Sequence, residues 1–376
     1  MGLTLTAAIW ALFVAIALWP PFRNGSLGFV VFLLTMTVNE IPLVLLVVFL
    51  VTTVPAMLDA SSAWPVWPAA ILTTLVMAGM IWLQVRARSA RPALEAALAG
   101  ALGSGWRDPS PADDRGWTNC WLSGILLPFQ RHRRDVERLR NLPYGPDRAH
   151  RLDLYRGRST GSERPVLIHL HGGGFSQGGK SREGVILLNQ LAAHGWLCAS
   201  VNYRLRGEGA FPNPLIDTKR AVAWVREHAA DYGADPGRIF LAGSSAGGHL
   251  AVSAALTPDR PELQPGFTDI GTQVAGVVVL YGYLGPRTSD PASSPAALAR
   301  PDAPPMLVIH GACDTMVPPA GPLSVAATLR AVSRSPVVWA ELPDTQHDFD
   351  FFASVRARLV ADEVEAFLEW ARRRHR

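Results

Sequence analysis

The chain has 376 residues, of which 49% are apolar and 18% are charged, and its formal net charge at pH 7 is +4. This length accommodates one large domain with extra segments or two ordinary domains, and the scattered basic residues argue against a nucleic-acid-binding surface. The three cysteines, Cys120, Cys198 and Cys313, are far apart in sequence, which argues against a disulfide framework and a zinc site.

The apolar excess is concentrated in the first ninety residues. Residues 3–19 and 69–85 contain no charged side chain, and residues 27–58 contain only Glu40. Each segment has about the length that a hydrocarbon core of ~30 Å requires of a helix. A signal peptide would explain only the first segment, and a buried helical bundle is the alternative to membrane spans. We therefore predict a transmembrane helical region over residues 1–88, with about three spans.

The second apolar segment is too long for one straight crossing, so it is expected to tilt, to kink at Pro42 or to be partly re-entrant. Glu40 beside the proline could belong to a functional polar site, but its place along the segment favours a membrane interface. Arg23 precedes this segment and Arg86 follows the third one. The positive-inside rule then predicts that the N-terminus lies outside and that the long C-terminal part lies in the cytoplasm.

Residues 89–140 are predicted to be a connector, because several prolines and a Gly/Ser patch interrupt them. The apolar stretch 121–129 is followed by basic residues and could lie among lipid headgroups. A surface helix packed on the following domain explains this stretch equally well, so both interpretations stay open.

From residue 141 to the C-terminus, short β-branched runs alternate with helical patterns. This alternation predicts a mostly parallel sheet flanked by helices, and so an α/β domain over residues 141–376. In such sheets the reactive groups lie on loops at the carboxyl ends of strands, so a candidate site residue should directly follow a strand. The predicted strands cover residues 152–155, 165–171, 196–203, 238–243, 274–282, 305–311 and 337–343, and the predicted helices cover residues 214–232, 321–332 and 352–373.

A Gly-x-Ser-x-Gly spacing, from Gly243 to Gly247, follows one of these strands and precedes a helical run. By itself the spacing also arises by chance in chains rich in glycine and serine, but the strand before it and the helix after it favour a nucleophile elbow. Such an elbow exposes a serine hydroxyl at the start of a helix, and small flanking residues avoid steric clashes. We therefore predict that Ser245 is a nucleophile and that the N–H of Ala246 faces a developing oxyanion.

The stretch HGGGF, which begins at His171, also follows a predicted strand. Gly172, Gly173 and Gly174 leave backbone N–H groups free to approach a substrate oxygen, so we expect them to complete the oxyanion hole. The alternative is a phosphate-binding loop ending at Lys180, but the glycine–lysine spacing is one residue short of a P-loop.

A serine hydroxyl needs a base that accepts its proton, and the base must itself be oriented. Asp314 and His347 each follow a predicted strand, and the chain order Ser–Asp–His is the one expected for this type of sheet. We therefore predict that Asp314 is the acid and His347 the base. Residues that we rank lower, as structural histidines or loop charges, are His171, His249, His310, Asp344, Asp348 and Asp350.

The stretches HGGGF, GSSAGGH, HGACDTMVP and QHDF together resemble the α/β-hydrolase superfamily, in particular its hormone-sensitive-lipase-like and feruloyl-esterase-like carboxylesterases. The resemblance extends over about residues 141–370 and does not include the apolar N-terminal segments. It implies an α/β-hydrolase fold in which Ser245 is the nucleophile, Asp314 the acid and His347 the base. It implies neither a metal nor an organic cofactor.

Two features depart from the family pattern: Ser244 occupies a position that is acidic in many lipase-like members, and residues 281–304 are too few for a large lid. The sequence predicts a multi-pass, membrane-anchored serine esterase or lipase that hydrolyses small-molecule or lipid esters through an acyl-enzyme, with its catalytic domain in the cytoplasm. The lipid bilayer is the expected partner, and nucleic acid is not. Amide or formamide hydrolysis and acyl transfer are alternatives on the same triad, and a non-catalytic hydrolase-fold scaffold is the alternative from another class.

Overall fold

The fold is described from a computed structural model, which covers residues 2–21, 25–59, 66–107, 117–158, 161–258 and 260–374. Within these ranges, a group of apolar helices precedes an eight-stranded sheet that carries helices on both faces. Arg23, on which the predicted orientation partly rests, lies outside the described residues.

Four apolar helices form the N-terminal region: α1 (Gly2–Leu18), α2 (Gly25–Glu40), α3 (Pro42–Asp59) and α4 (Val66–Arg86). Helix α2 ends before Ile41, because a proline disfavours the helical conformation of the residue that precedes it. The chain bends by 90° at this point. The interior shared by these helices is apolar and includes the fully buried side chains of Phe49, Val76, Met80 and Leu83.

Length and apolar composition leave fewer candidate membrane spans than the sequence predicts. Among the described residues, one helical stretch, Trp67–Leu102, is long and apolar enough to cross a membrane. Gly25–Glu40 and Pro42–Met57 form a second candidate only if the bent pair counts as one span, and Leu3–Leu18 is shorter. One or two candidate spans therefore stand where the sequence predicts about three, because Leu3–Leu18 is short and the bend divides the longest apolar segment. The multi-pass arrangement and the cytoplasmic orientation stay predictions.

Two further helices lie between the apolar helices and the first strand. Helix α5 (Ala90–Leu102) follows α4 after one short turn, and its buried Leu94 and Leu98 belong to an apolar cluster on one face of the sheet. Helix α6 (Trp117–Leu126) contains most of the apolar stretch that sequence leaves ambiguous. Its Ile125 packs against a buried cluster at the start of the last helix. Both helices therefore contact the sheet domain.

The eight strands form one mixed sheet in the order β1-β2-β4-β3-β5-β6-β7-β8. The pairs β1–β2 and β2–β4 are antiparallel, and all other pairs are parallel, so the predicted α/β class is confirmed. The strands are β1 (Val136–Pro143), β2 (Arg151–Gly157), β3 (Arg164–Leu170), β4 (Leu197–Val201), β5 (Ala234–Ser244), β6 (Val277–Leu280), β7 (Met306–Gly311) and β8 (Val337–Leu342).

Burial explains which strands the sequence pattern reveals. The central strands β3, β4, β6 and β7 are buried along their whole length, because helices cover both faces, and such strands read as continuous apolar runs. The edge strand β1 buries only Val136 fully and carries charged residues instead. The sequence pattern therefore does not predict β1.

Helices cover the two faces of the sheet in two groups. One apolar cluster joins α8, α9 and α10 to the sheet, and the other joins α5, α7 and α11. The bounds of these helices are α7 (Val185–Ala193), α8 (Asn213–His228), α9 (Ala246–Leu256), α10 (Ala320–Val332) and α11 (Val355–Arg374).

Candidate active site

Ser245 lies in the turn between β5 and α9, with φ of 51° and ψ of −115°. A non-glycine residue rarely adopts a positive φ, so this turn is strained in the way that a nucleophile elbow requires. The flanking glycines are needed for space. A Cβ on Gly243 would overlap the carbonyl of Gly247, and a Cβ on Gly247 would overlap the carbonyl of Leu170.

The structure brings together the three side chains that the sequence predicts as a triad. Nε2 of His347 lies 3.0 Å from Oγ of Ser245, and Nδ1 of His347 lies 2.6 Å from Oδ2 of Asp314. These residues follow β5, β7 and β8, whose carboxyl ends lie at the same edge of the sheet. A continuous hydrogen-bond chain therefore connects the hydroxyl, the imidazole and the carboxylate.

Burial and hydrogen bonding have opposite effects on the pKa values of Asp314 and His347. Burial alone would raise the pKa of Asp314, but the adjacent His347 and a hydrogen bond from His310 hold that pKa below its usual range. Oδ1 of Asp314 also accepts the N–H groups of Met316 and Val317, each at 2.8 Å. Burial would lower the pKa of His347, but the carboxylate outweighs burial and raises it. Asp314 is therefore held ionised and orients the imidazole.

The alternative histidines contact other groups. His310 lies 3.2 Å from Asp314 and so supports the carboxylate rather than the serine. His171 stacks on the ring of Tyr203, with 4.3 Å between ring centroids. His249 places Nε2 2.9 Å from a backbone carbonyl oxygen. These three histidines thus contact groups other than the hydroxyl of Ser245.

The alternative acids do not contact Nδ1 of His347, because this nitrogen is hydrogen-bonded to Asp314. Asp344 is about half exposed. Asp348 lies near the other ring nitrogen, 3.8 Å from Nε2. Asp350 accepts a hydrogen bond from the hydroxyl of Tyr281.

The HGGGF loop lies directly against the serine. A Cβ on Gly172 would be 3.0 Å from Cβ of Ser245. Gly173 and Gly174 have φ of 113° and 60°, values that glycine adopts without a steric cost. The loop therefore turns its backbone, rather than a side chain, toward the hydroxyl.

The backbone donors of this loop are not equivalent. The N–H of Gly172 donates to Oε2 of Glu183 at 3.0 Å. Within the described part of the chain, the N–H groups of Gly173 and Gly174 make no hydrogen bond. Ala246 begins α9, where backbone N–H groups have no acceptor within the helix. Three of the four predicted oxyanion donors are therefore available, and the first glycine is occupied.

Glu183 is a residue of the site that sequence reasoning does not find, because it lies in a loop without a motif. Its Oε1 lies 2.9 Å from Nε of Arg182. Burial, reinforced by Asp348, raises the pKa of Glu183 to about 8, although Arg182 and the N–H of Gly172 lower it. Glu183 thus fixes the first glycine of the HGGGF loop through a buried carboxyl group whose pKa is raised.

Aromatic rings flank the imidazole of His347. The ring of Tyr281 lies 4.7 Å from it, centroid to centroid. The ring of Phe32, from α2, approaches edge-on at 5.9 Å. Sequence reasoning does not identify Phe32 as a site residue either, because it lies at the opposite end of the chain and belongs to no motif. One wall of the site is therefore supplied by the N-terminal helices.

An open cleft adjoins the HGGGF loop and offers room for a small molecule. The guanidinium of Arg287 lies 3.6 Å from the centre of the Phe175 ring in this cleft. In the described residues, no group of three or more His, Cys, Asp or Glu side chains is arranged to hold a metal ion. The cleft is lined by Gly174, Phe175, Ser176, Arg206, Gly209, Ala210, Tyr283, Pro286 and Arg287.

Sequence comparisons relate the chain to proteins with a common activity. The BD-FAE family profile matches residues 152–285. The chain is 34% identical to the probable carboxylic ester hydrolase LipM of Mycobacterium tuberculosis, over 98% of this chain and 93% of that protein. It is 35% identical to esterase LipQ of the same organism, over 75% of each chain. The similarity to LipM extends into the apolar N-terminal helices, which lie outside the family resemblance seen in the sequence.

A solved structure supports the same fold. The propionate-bound esterase Est2 of Thermogutta terrifontis superposes with a TM-score of 0.54 over 63% of this chain and 94% of that chain. The two sequences are 23% identical, so this likeness concerns the arrangement of the sheet and its helices.

Proposed function

This chain is a carboxylic ester hydrolase that belongs to the α/β-hydrolase-fold esterases, and on that premise we propose that it is a serine esterase working through an acyl-enzyme. The observation that carries the proposal is the hydrogen-bond chain from Ser245 through His347 to Asp314, at 3.0 and 2.6 Å. A base at this distance can accept the serine proton, and the carboxylate stabilises the imidazolium that results.

Acylation begins when Oγ of Ser245 attacks the carbonyl carbon of the ester while its proton moves to Nε2 of His347. The carbonyl oxygen becomes an oxyanion, which accepts hydrogen bonds from the N–H groups of Gly173, Gly174 and Ala246. The tetrahedral intermediate then expels the alcohol, which takes the proton from His347. The acyl group remains bound to Ser245 as an ester.

Deacylation repeats these steps with water. His347 takes a proton from the water molecule, and the hydroxide attacks the acyl carbonyl carbon. The second tetrahedral intermediate is stabilised by the same N–H groups. When it collapses, Ser245 regains its proton and the carboxylic acid is released.

Replacing Ser245 tests the proposal. Ser245→Ala should lower kcat for a short-chain p-nitrophenyl ester by about 10⁴-fold or more, because the covalent step is lost. It should also abolish labelling by a fluorophosphonate probe, which reacts with an activated serine. Release of p-nitrophenol and in-gel probe fluorescence measure the two effects.

Ser244→Ala is the matched control, because it removes a neighbouring hydroxyl that lies 3.1 Å from Nε2 of His169 instead. This variant should keep probe labelling. Full turnover in Ser245→Ala would rule out the acyl-enzyme mechanism.

We also propose that the enzyme is anchored in a membrane and acts on esters that dissolve in lipid. The stretch Trp67–Leu102 is long and apolar enough to span a bilayer. Large apolar side chains on the outer faces of the helices are exposed, among them Leu5, Val47 and Leu75 at 58–63%, and such surfaces favour lipid over water. Arginines at 86, 88 and 91 favour a cytoplasmic position for the sheet domain.

A further inference from the structure

Helix α2 is bound to the loops that carry the acid and the base. Oγ1 of Thr315, the residue after the acid, donates to the carbonyl of Gly28 at 2.8 Å. Nε2 of Gln346, the residue before the base, approaches Oγ1 of Thr35 at 3.5 Å. Gly28 and Thr35 lie one turn before and one turn after Phe32, so all three share a face of the helix. This face of α2 therefore lies over the site.

Two phenylalanines connect the outer surface of α2 with the catalytic base. Phe32 is 4% exposed, and its ring meets the ring of His347 at 5.9 Å. Phe29, one turn earlier, is 43% exposed, and its ring lies 6.3 Å from that of Phe32. An apolar track of two rings thus extends from the exterior of the helix to the imidazole.

Glu40 fixes the C-terminal end of α2 to the sheet domain. Its carboxylate pairs with Arg356 and accepts a hydrogen bond from Oγ of Ser354 at 2.7 Å. The side chains of Glu40 and Arg356 are 2% and 1% exposed, and a buried ion left without its partner is strongly destabilising. The structure thus places Glu40 in a buried contact with the sheet domain, and the membrane interface expected from the sequence stays a prediction. Asn39, beside it, accepts a hydrogen bond from Arg86 at 3.0 Å.

We propose that α2 forms the acyl-binding wall of the site and that long apolar acyl chains bind along Phe29 and Phe32 when their ester carbonyl reaches Ser245. This inference rests on the serine esterase function proposed above and names the substrate class of that site. A short acyl group ends close to the reacting carbonyl, whereas a long one continues onto the helix. Because each buried methylene adds to the binding free energy, the helix selects for long-chain esters.

The test compares p-nitrophenyl laurate with p-nitrophenyl acetate on the full chain in detergent micelles. Phe32→Ala should lower kcat/KM for laurate at least about fivefold, because apolar contact with the chain is lost. The value for acetate should fall less than that for laurate, so the laurate-to-acetate ratio should fall at least about threefold, because only the longer chain extends onto the helix. Phe13→Ala is the matched control, since Phe13 of α1 packs in the interior of the N-terminal helices. It should leave the laurate-to-acetate ratio unchanged.

An unchanged ratio in a Phe32→Ala enzyme that still hydrolyses acetate would overturn the inference. Failure of the esterase function itself looks different, because the unaltered chain would then hydrolyse neither ester and would not react with a fluorophosphonate. If Phe32→Ala loses probe labelling altogether, Phe29→Ala decides, since Phe29 is 43% exposed and lies one turn away from the residue that contacts His347. A lower ratio in Phe29→Ala supports the acyl wall, and an unaltered ratio refutes it.

The buried ion pair gives an independent test of how α2 is held. Glu40→Ala should lower the laurate-to-acetate ratio as Phe32→Ala does, because Arg356 loses its partner and α2 is displaced. The double variant Glu40→Leu with Arg356→Leu should recover most of the ratio, since replacing both charges by apolar groups removes the unpaired ion. Equal ratios in the single variant and the unaltered chain would show that the pair does not position the helix.

Discussion

His347 lies between a carboxylate and two aromatic rings. Burial lowers the pKa of the imidazole, whereas the carboxylate raises it. Burial disfavours the imidazolium, whereas Asp314 stabilises it, and the carboxylate dominates because the pKa is raised above the ordinary 6.5. Such a base accepts a proton more readily than a free imidazole does. The position of this titration is therefore a direct measure of the acid–base contact.

The pH dependence of hydrolysis follows from that titration. Since only neutral His347 can take the serine proton, kcat/KM should rise with pH along a limb whose midpoint lies above pH 6.5. Asp314→Asn should lower kcat by about 10⁴-fold and move the limb of the residual activity to lower pH, because the stabilising charge is gone. Rate profiles with p-nitrophenyl acetate measure both effects. A limb that stays in place in Asp314→Asn would contradict the assigned contact.

At the scale of elements, the HGGGF loop, which we propose to hold the oxyanion, depends on a carboxyl group that the loop does not contain. Glu183 accepts the N–H of Gly172 at 3.0 Å, and its pKa is raised to about 8 from the ordinary 4.5. Folding therefore takes up a proton between these two pH values. The stabilisation from the neutral carboxyl is complete below pH 4.5 and is lost as the pH rises through 8.

Substitutions at Glu183 separate its role as an acceptor from its ionisation. Glu183→Ala removes the acceptor and should lower kcat by about 10- to 100-fold, because the oxyanion donors lose their position. Glu183→Gln keeps an acceptor and resembles the neutral carboxyl, so kcat should stay within about threefold. The melting temperature of Glu183→Gln should fall less than that of the unaltered chain as the pH rises from 4.5 to 8. Parallel melting curves for the two proteins would argue against the raised pKa.

The sequence predicts elements whose signal is local. The central strands are revealed by continuous apolar runs, and Ser245, Asp314 and His347 by their places after such strands. The edge strand β1 is not predicted, because it buries only one side chain fully. Phe32 and Glu183 are not predicted either, because their roles come from contacts between distant parts of the chain. Long-range packing leaves no periodic pattern in a single sequence.

At the scale of the whole molecule, an apolar helical region and a sheet domain share one catalytic site. Large apolar side chains of the helices face outward, while the polar side chains of Asn39 and Glu40 are buried against Arg86 of α4 and against the sheet domain, respectively. This distribution is the reverse of that expected for helices surrounded by water. We therefore expect the whole chain, and not only one span, to associate with membranes.

Membrane association can be tested by fractionation. The full chain should remain in the membrane pellet after an alkaline carbonate wash and should be released by detergent. Ile71→Lys with Leu75→Lys, which places two charges on exposed positions of α4, should lower the pelleted fraction, because charges are costly in a hydrocarbon core. Leu323→Lys, at an exposed position of α10, is the control and should not change it. Equal pelleting of all three proteins would contradict anchoring through α4.

The ion pair between Glu40 and Arg356 also limits how this enzyme can be divided. A shortened form beginning after the apolar helices would leave a buried guanidinium without its carboxylate and uncover the edge of the imidazole that Phe32 shields. Such a form would be a poor guide to the native preference among esters, even if it dissolved well and hydrolysed acetate.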